Sequence, residues 1–225
     1  MFESKEVIVV IHLSLFNAAK VAVLGIALML HAVGDVVIAL AGVIESMPFF
    51  LLGHFAYCRS FARGCDVSRR RFNQFEGLKK VAIISSIVFA VAMFTLLEPS
   101  FEGPLLKVIL LLYVVAICLM FVISLFGRSR LLILGSGLYL ISDCIIALAT
   151  FVFPKNPLAQ WVDLNCAWPI YWAGQLFLTM GALNGFLDLQ LEPHPTKNQN
   201  GLVMLLVNIF SVLGLIIIAW RRLFR

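Results

Sequence analysis

The chain has 225 residues, 62% of them hydrophobic and 13% charged, and its mean hydropathy is +1.02. Soluble domains carry about 25% charged residues, so the polar material here is too scarce to cover a water-soluble globule. A net charge of +5 in such a chain reads as basic loops on the cytoplasmic face of a membrane, with the lipid bilayer and no nucleic acid as partner.

Breaks in hydropathy divide the chain. Residues 5–19, "KEVIVVIHLSLFNAA", form a short first segment, and Lys20 opens a second that runs to about Val43. "ESMP", with Glu45 and Pro48, predicts a turn, and a third segment covers Pro48 to about Arg63. The polar loop "RGCDVSRRRFNQFEGLKK" follows. The fourth segment covers about 80–97 and ends at "EPSFEGP"; the fifth covers about 104–126 and ends at "GRSR". The sixth covers about 130–153, with "PKNPLAQWVDLN" after it, and the seventh about 167–189. After "LEPHPTKNQNG", a polar loop, an eighth segment covers about 201–220 and ends "WRRLFR". The segments run to about twenty residues, the length that crosses a bilayer core of roughly 30 Å, without the ten-residue alternation of an outer-membrane barrel. The expected fold is all-α, a polytopic transmembrane helical bundle of seven or eight spans. It forms one domain over residues 1–225 with no internal repeat, in the inner or cell membrane if the source is bacterial.

Cys58, Cys65, Cys118, Cys144 and Cys166 are scattered. Their spacing supports neither a disulfide framework nor a zinc site, and those inside apolar spans behave as small hydrophobes. Glu3 and Glu6 spoil the basic region of a cleavable signal. The loop 59–80 holds Arg59, Arg63, Arg69, Arg70, Arg71, Lys79 and Lys80 and is expected inside. Alternation then puts "GRSR" inside and "EPSFEGP" outside, in agreement, but also puts Arg221, Arg222 and Arg225 outside, in disagreement.

The ionisable residues inside spans carry the functional signal. An Asp at a helix centre costs about 2.5–3.5 kcal/mol on insertion scales, so such residues face the bundle interior and mark a site or pathway. Asp35 lies in segment two and Asp143 in segment six. Residues three or four apart share a helix face, which pairs His31 with Asp35, His54 with Tyr57, Tyr139 with Asp143, and Tyr171 with Gln175. Gly34, Gly53, Ser142 and Gly174 immediately precede Asp35, His54, Asp143 and Gln175, and small residues allow close helix approach. The economical arrangement is one polar pocket near mid-membrane, shared by segments two, three, six and seven. Taken singly, His54 or Gln175 is as well read as interhelical glue, and Tyr57, Tyr139 and Tyr171 as packing aromatics. Two intramembrane aspartates are harder to assign to structure alone.

In order, Gly34-Asp35, "FFLLGHFAY" with His54 and Tyr57, "GLYLISDCIIAL" with Ser142-Asp143, and "YWAGQLFL" with Tyr171, Gly174 and Gln175 resemble the motifs of the YhhN-like lysoplasmalogenase family of polytopic membrane proteins. The resemblance covers about residues 20–185. The family has two helices before its Gly-Asp helix, the second opening with Lys-Pro, whereas one short segment and "FNAAK" stand there in this chain. The span 201–220 is an addition after the helix that ends the family.

The resemblance implies hydrolysis of the vinyl-ether bond of a lysophospholipid, the lysoplasmalogen, to a fatty aldehyde and a glycerophospho-ethanolamine or -choline, with no cofactor. The chemistry suits the residues. A vinyl ether is cleaved once its β carbon is protonated, through an oxocarbenium ion like that of glycosidases, which two carboxyls serve. A low-dielectric pocket disfavours charged carboxylates, and two close together do not both ionise readily. Asp35 and Asp143 are the expected catalytic pair, His54, Tyr57, Tyr139, Ser142, Tyr171 and Gln175 the expected supporting residues, and His31 a further supporting candidate outside the motif. The substrate's single chain is expected to enter laterally between helices. Two other readings remain open at this point. His31, Asp35, His54 and Asp143 are N/O ligand types for a metal-dependent hydrolase, although no HxxxH or HExxH supports it. Paired acids also serve proton-coupled transporters, although no inverted repeat is visible.

Overall fold

The structure is a computed structural model that describes residues 4–64, 76–126 and 129–187. The expected span 201–220, the arginines after it and most of the basic loop lie outside the described residues. Among the described residues the chain is all-helical, with no strand.

Helix α1 runs without a break from Ser4 to Leu40. The separation expected at Lys20 does not occur: "FNAAKVAVL" has neither Gly nor Pro, and Ala, Lys and Leu are strong helix formers. The first two expected segments are therefore one helix, whose apolar stretch is Ala18–Leu40. The turn follows at Ala41-Gly42, with Gly42 at φ +115°, a conformation open to glycine. Helix α2 then spans Val43–Gly64 with Pro48 inside it, so the turn expected at "ESMP" lies a few residues earlier. Pro48 has no N–H to give the carbonyl of Ile44, and the helix continues past it.

Helix α3 spans Glu76–Leu97 and ends in a 3-10 turn, Glu98–Ser100. Helix α4 spans Pro104–Leu125, with Pro104 in the first turn, where its missing N–H costs nothing. Helix α5, Arg130–Ala147, is capped by Ser129, whose Oγ accepts from Leu132 N at 3.2 Å, and it continues into a π-turn, Leu148–Val152. The expected connection "PKNPLAQWVDLN" holds a further short helix, α6, Pro157–Val162. Asn156 caps it and Pro157 opens it, a start signal hidden in a run of breakers. A second π-turn, Asp163–Ala167, leads into helix α7, Trp168–Leu187.

Among the described residues, four stretches are long and apolar enough to cross a membrane: Ala18–Leu40, Lys80–Ser100, Pro104–Leu125 and Arg130–Val152. Helices α2 and α7 are 22 and 20 residues long and carry His54, Tyr57, Tyr171 and Gln175, with Glu45, Arg59 and Arg63 also on α2. Apolar side chains face outward. Ile26, Met29, Val33, Val36 and Leu40 form an exposed stripe on α1 at helical spacing. Polar side chains such as His31, His54, Ser136, Ser142 and Gln175 are buried. This inversion of the soluble pattern is what lipid as solvent selects.

Helices α1, α2, α4, α5 and α7 pack in a closed ring, and α3 lies against α4. Glycines bring α5 and α7 together: a Cβ on Gly135 would stand 2.5 Å from Leu178 N, and one on Gly174 would stand 3.0 Å from Tyr139 N. A Ser124–Ser136 hydroxyl contact of 2.6 Å ties α4 to α5.

Candidate functional site

Each ring helix sends polar side chains inward. His31 and Asp35 come from α1, His54 and Tyr57 from α2, Tyr139 and Asp143 from α5, and Tyr171 and Gln175 from α7. Helix α4 adds Tyr113. The rings interlock, with His31 to Tyr57 at 4.9 Å between centroids, His31 to His54 at 5.1 Å, His54 to Tyr139 at 5.2 Å and Tyr139 to Tyr171 at 5.1 Å. Gly53 makes this possible, since a Cβ there would overlap the His31 imidazole.

One hydrogen-bond chain crosses three helices. Tyr57 Oη donates to Gln175 Oε1, Gln175 Nε2 donates to Tyr171 Oη at 3.2 Å, and Tyr171 Oη donates to Asp35 Oδ2 at 3.1 Å. Asp143 is held differently. Tyr113 Oη donates to its Oδ2 at 2.6 Å, and His54 Nε2 stands 3.7 Å from the same oxygen. Asp143 and Tyr139 share a helix face, but the hydroxyl bonded to Asp143 is that of Tyr113, which the spacing on α5 could not reveal. Tyr113 sits in "LLLYVVAI" with no polar neighbour three or four residues away. The one signal for it is that a tyrosine hydroxyl in an apolar helix needs a partner.

Beside this cluster lies a cavity with about 820 Å³ of space not filled by protein, part of it open to the outside. Its wall is apolar except for Asp35, Asp143, Tyr113, Tyr171 and Ser46. The polar residues therefore fall into two sets. Asp35, Asp143, Tyr113 and Tyr171 line the cavity, and His31, His54, Tyr57, Tyr139 and Gln175 lie behind them. Ser142 turns away, donating to the Ala167 carbonyl at 2.9 Å and fixing α5 to the π-turn before α7. His31 Nδ1 donates back to the Ala27 carbonyl at 2.7 Å. Asp35 Oδ1, His31 Nε2 and both ring nitrogens of His54 are buried without a hydrogen-bond partner, so the site has polar capacity to spare.

The cavity wall is not centred on every helix: Tyr113 and Asp143 stand near the middle of α4 and of Arg130–Val152, whereas two other wall residues stand near helix ends. Asp35 is five residues from the end of α1, about 8 Å at 1.5 Å per residue, and Tyr171 is in the first turn of α7. Asp35 and Tyr171 thus stand toward one end of the bundle. The four ligands of the metal-dependent reading do not converge: among the described residues no three His, Cys, Asp or Glu side chains form a ligand set.

The profile of the YhhN family matches residues 7–182. The chain belongs to the YhhN family. The match reaches back into the first half of α1 and forward to Ala182, so every residue of the cluster falls within it, while residues 201–220 lie beyond it. Four long apolar helices and YhhN membership together make the chain an integral membrane protein. Neither curated proteins nor solved structures give a match.

Proposed function

We propose that this YhhN chain is a multi-pass membrane hydrolase that cleaves the vinyl-ether bond of lysoplasmalogens, releasing a fatty aldehyde and a glycerophospho-alcohol. The observation that carries the reading is that two carboxyls, 108 positions apart in sequence (Asp35 and Asp143), line one cavity whose wall is otherwise apolar but for Ser46, Tyr113 and Tyr171. An acyl-like chain fits the apolar wall, and the carboxyls are the groups within it suited to proton transfer.

The steps follow from the bond. Asp35 Oδ1 is a buried carboxyl oxygen without a hydrogen-bond partner, and in this mechanism it delivers a proton to the β carbon. The resulting oxocarbenium ion faces Asp143, which Tyr113 holds in place. Water adds to the cation and gives up a proton to carboxylate. The hemiacetal then collapses, its C–O bond breaking to give the aldehyde and the glycerol hydroxyl. His54, Tyr57, Tyr139, Tyr171 and Gln175 keep the two carboxyls oriented.

The test is a lipid panel presented to the purified protein in detergent, with aldehyde detection. Release from 1-alkenyl lysophospholipids but not from 1-acyl or 1-alkyl analogues is the expected result. No aldehyde from any alkenyl lipid would overturn the reading. Turnover in detergent, with no gradient present, also separates a hydrolase from a proton-coupled transporter.

A further inference from the structure

We infer that the cavity takes its ligand from the extracytoplasmic leaflet, as a single-chain amphiphile whose scissile bond lies next to its headgroup. The inference rests on the multi-pass hydrolase reading. Three observations carry it.

The first is position along the helices. The wall residues Ile38, Met47, Leu97, Leu110, Ala147 and Trp168 lie within two turns of one helix end, Leu40, Val43, Leu97, Pro104, Ala147 and Trp168 respectively, and the wall reaches deepest at Ile117 on α4. Consecutive helices alternate in direction, so these ends share one side of the bundle. Toward the other side, the fully buried His31, His54, Tyr57 and Tyr139 close the floor.

The second is charge. The cavity end carries Glu45, Glu98, Glu102 and Asp163, against Lys107, which is paired with Glu98, and Lys155. The opposite end carries Lys20, Arg59, Lys80 and Arg130 against Glu76 at the start of α3, and the sequence between α2 and α3 holds Arg69, Arg70 and Arg71 beside Asp66. Cytoplasmic ends hold the excess of Lys and Arg, so the basic end is cytoplasmic and the cavity end is not.

The third is depth. Asp35 lies about 8 Å below the end of α1. A lipid seated with its headgroup at that rim brings the bond between glycerol and chain to the carboxyls, and its tail runs on along Phe89 and Met93. A headgroup arriving from the basic end would have to pass the closed floor.

Two measurements test this. Lys107→Cys and Lys80→Cys are labelled in intact cells with a membrane-impermeant maleimide, with the parent chain as background. Lys107→Cys labels at once and Lys80→Cys only after permeabilisation; the reverse order overturns the inference. In the second, a 1-alkenyl lysophospholipid is added to right-side-out and inside-out vesicles. Aldehyde release begins immediately in the former and only after detergent in the latter. If detergent restores turnover in both but the vesicle order is reversed, the leaflet inference falls and the hydrolase reading stands. If detergent-treated vesicles release nothing, the hydrolase reading falls, and the inference, which rests on it, falls too.

Discussion

Asp143 and Asp35 are both acids in lipid, yet their surroundings differ. Asp143 has a hydroxyl at 2.6 Å and an imidazole nitrogen at 3.7 Å. Asp35 holds one hydroxyl at 3.1 Å and keeps an oxygen unpartnered. In the proposed mechanism Tyr113 is a positioning residue, acting through Asp143. Tyr113→Phe removes the hydroxyl and keeps the ring that meets His54 at 5.2 Å. A hydrogen bond to a charged group is worth about 1.5–3 kcal/mol, so aldehyde release should fall by about 10- to 100-fold. Fold, checked by the elution volume and melting temperature of the solubilised protein, should be unaltered. An unchanged rate would remove Tyr113 from the machinery. The two aspartates were legible in the sequence because an acid in an apolar helix is expensive. Tyr113 was not, because tyrosine carries no such penalty and its partner comes from another helix.

At the scale of the elements, small residues decide how closely helices approach. Gly135 faces Leu178 N at 2.5 Å and Gly174 O at 2.9 Å, measured from where a Cβ would be. Gly135→Val must push α5 away from α7, and overpacking of this kind costs about 1–3 kcal/mol. The solubilised protein should melt several degrees lower, with lost activity because Asp143 and Tyr171 move apart. Gly25→Ala is the control, since nothing stands within 4 Å of its added Cβ, and it should melt at or above the parent temperature. Equal melting of Gly135→Val and parent would show that the α5–α7 contact is not close. Glycines before polar residues were readable as contact points. The continuity of α1 through Lys20 was not, because a charged residue marks a hydropathy break without breaking a helix. The start of α6 was obscured by the two prolines of "PKNP", of which Pro157 opens a helix rather than preventing one.

Over the whole molecule, the ring of five helices turns scattered polar residues into one site. The same closure sets the polar cluster inside, the apolar stripes outside, and the cavity toward the acidic end. The membrane class and the convergence of four helices followed from composition and i,i+4 spacing. The opening of the cavity toward one end of the bundle did not, because spacing gives a face and not the packing that opens a void. If the carboxyls act as a unit, their effects cannot be additive: once one is lost, the other has little left to contribute. The most direct test is aldehyde release from a 1-alkenyl lysophospholipid by the parent chain, Asp35→Asn, Asp143→Asn and the double variant, each purified to equal folded amounts. General acid–base groups contribute about 10²- to 10⁴-fold. Each single variant should lose at least about 100-fold, and the double variant should be no slower than the slower single one. Full turnover in either single variant would contradict the paired-carboxyl site.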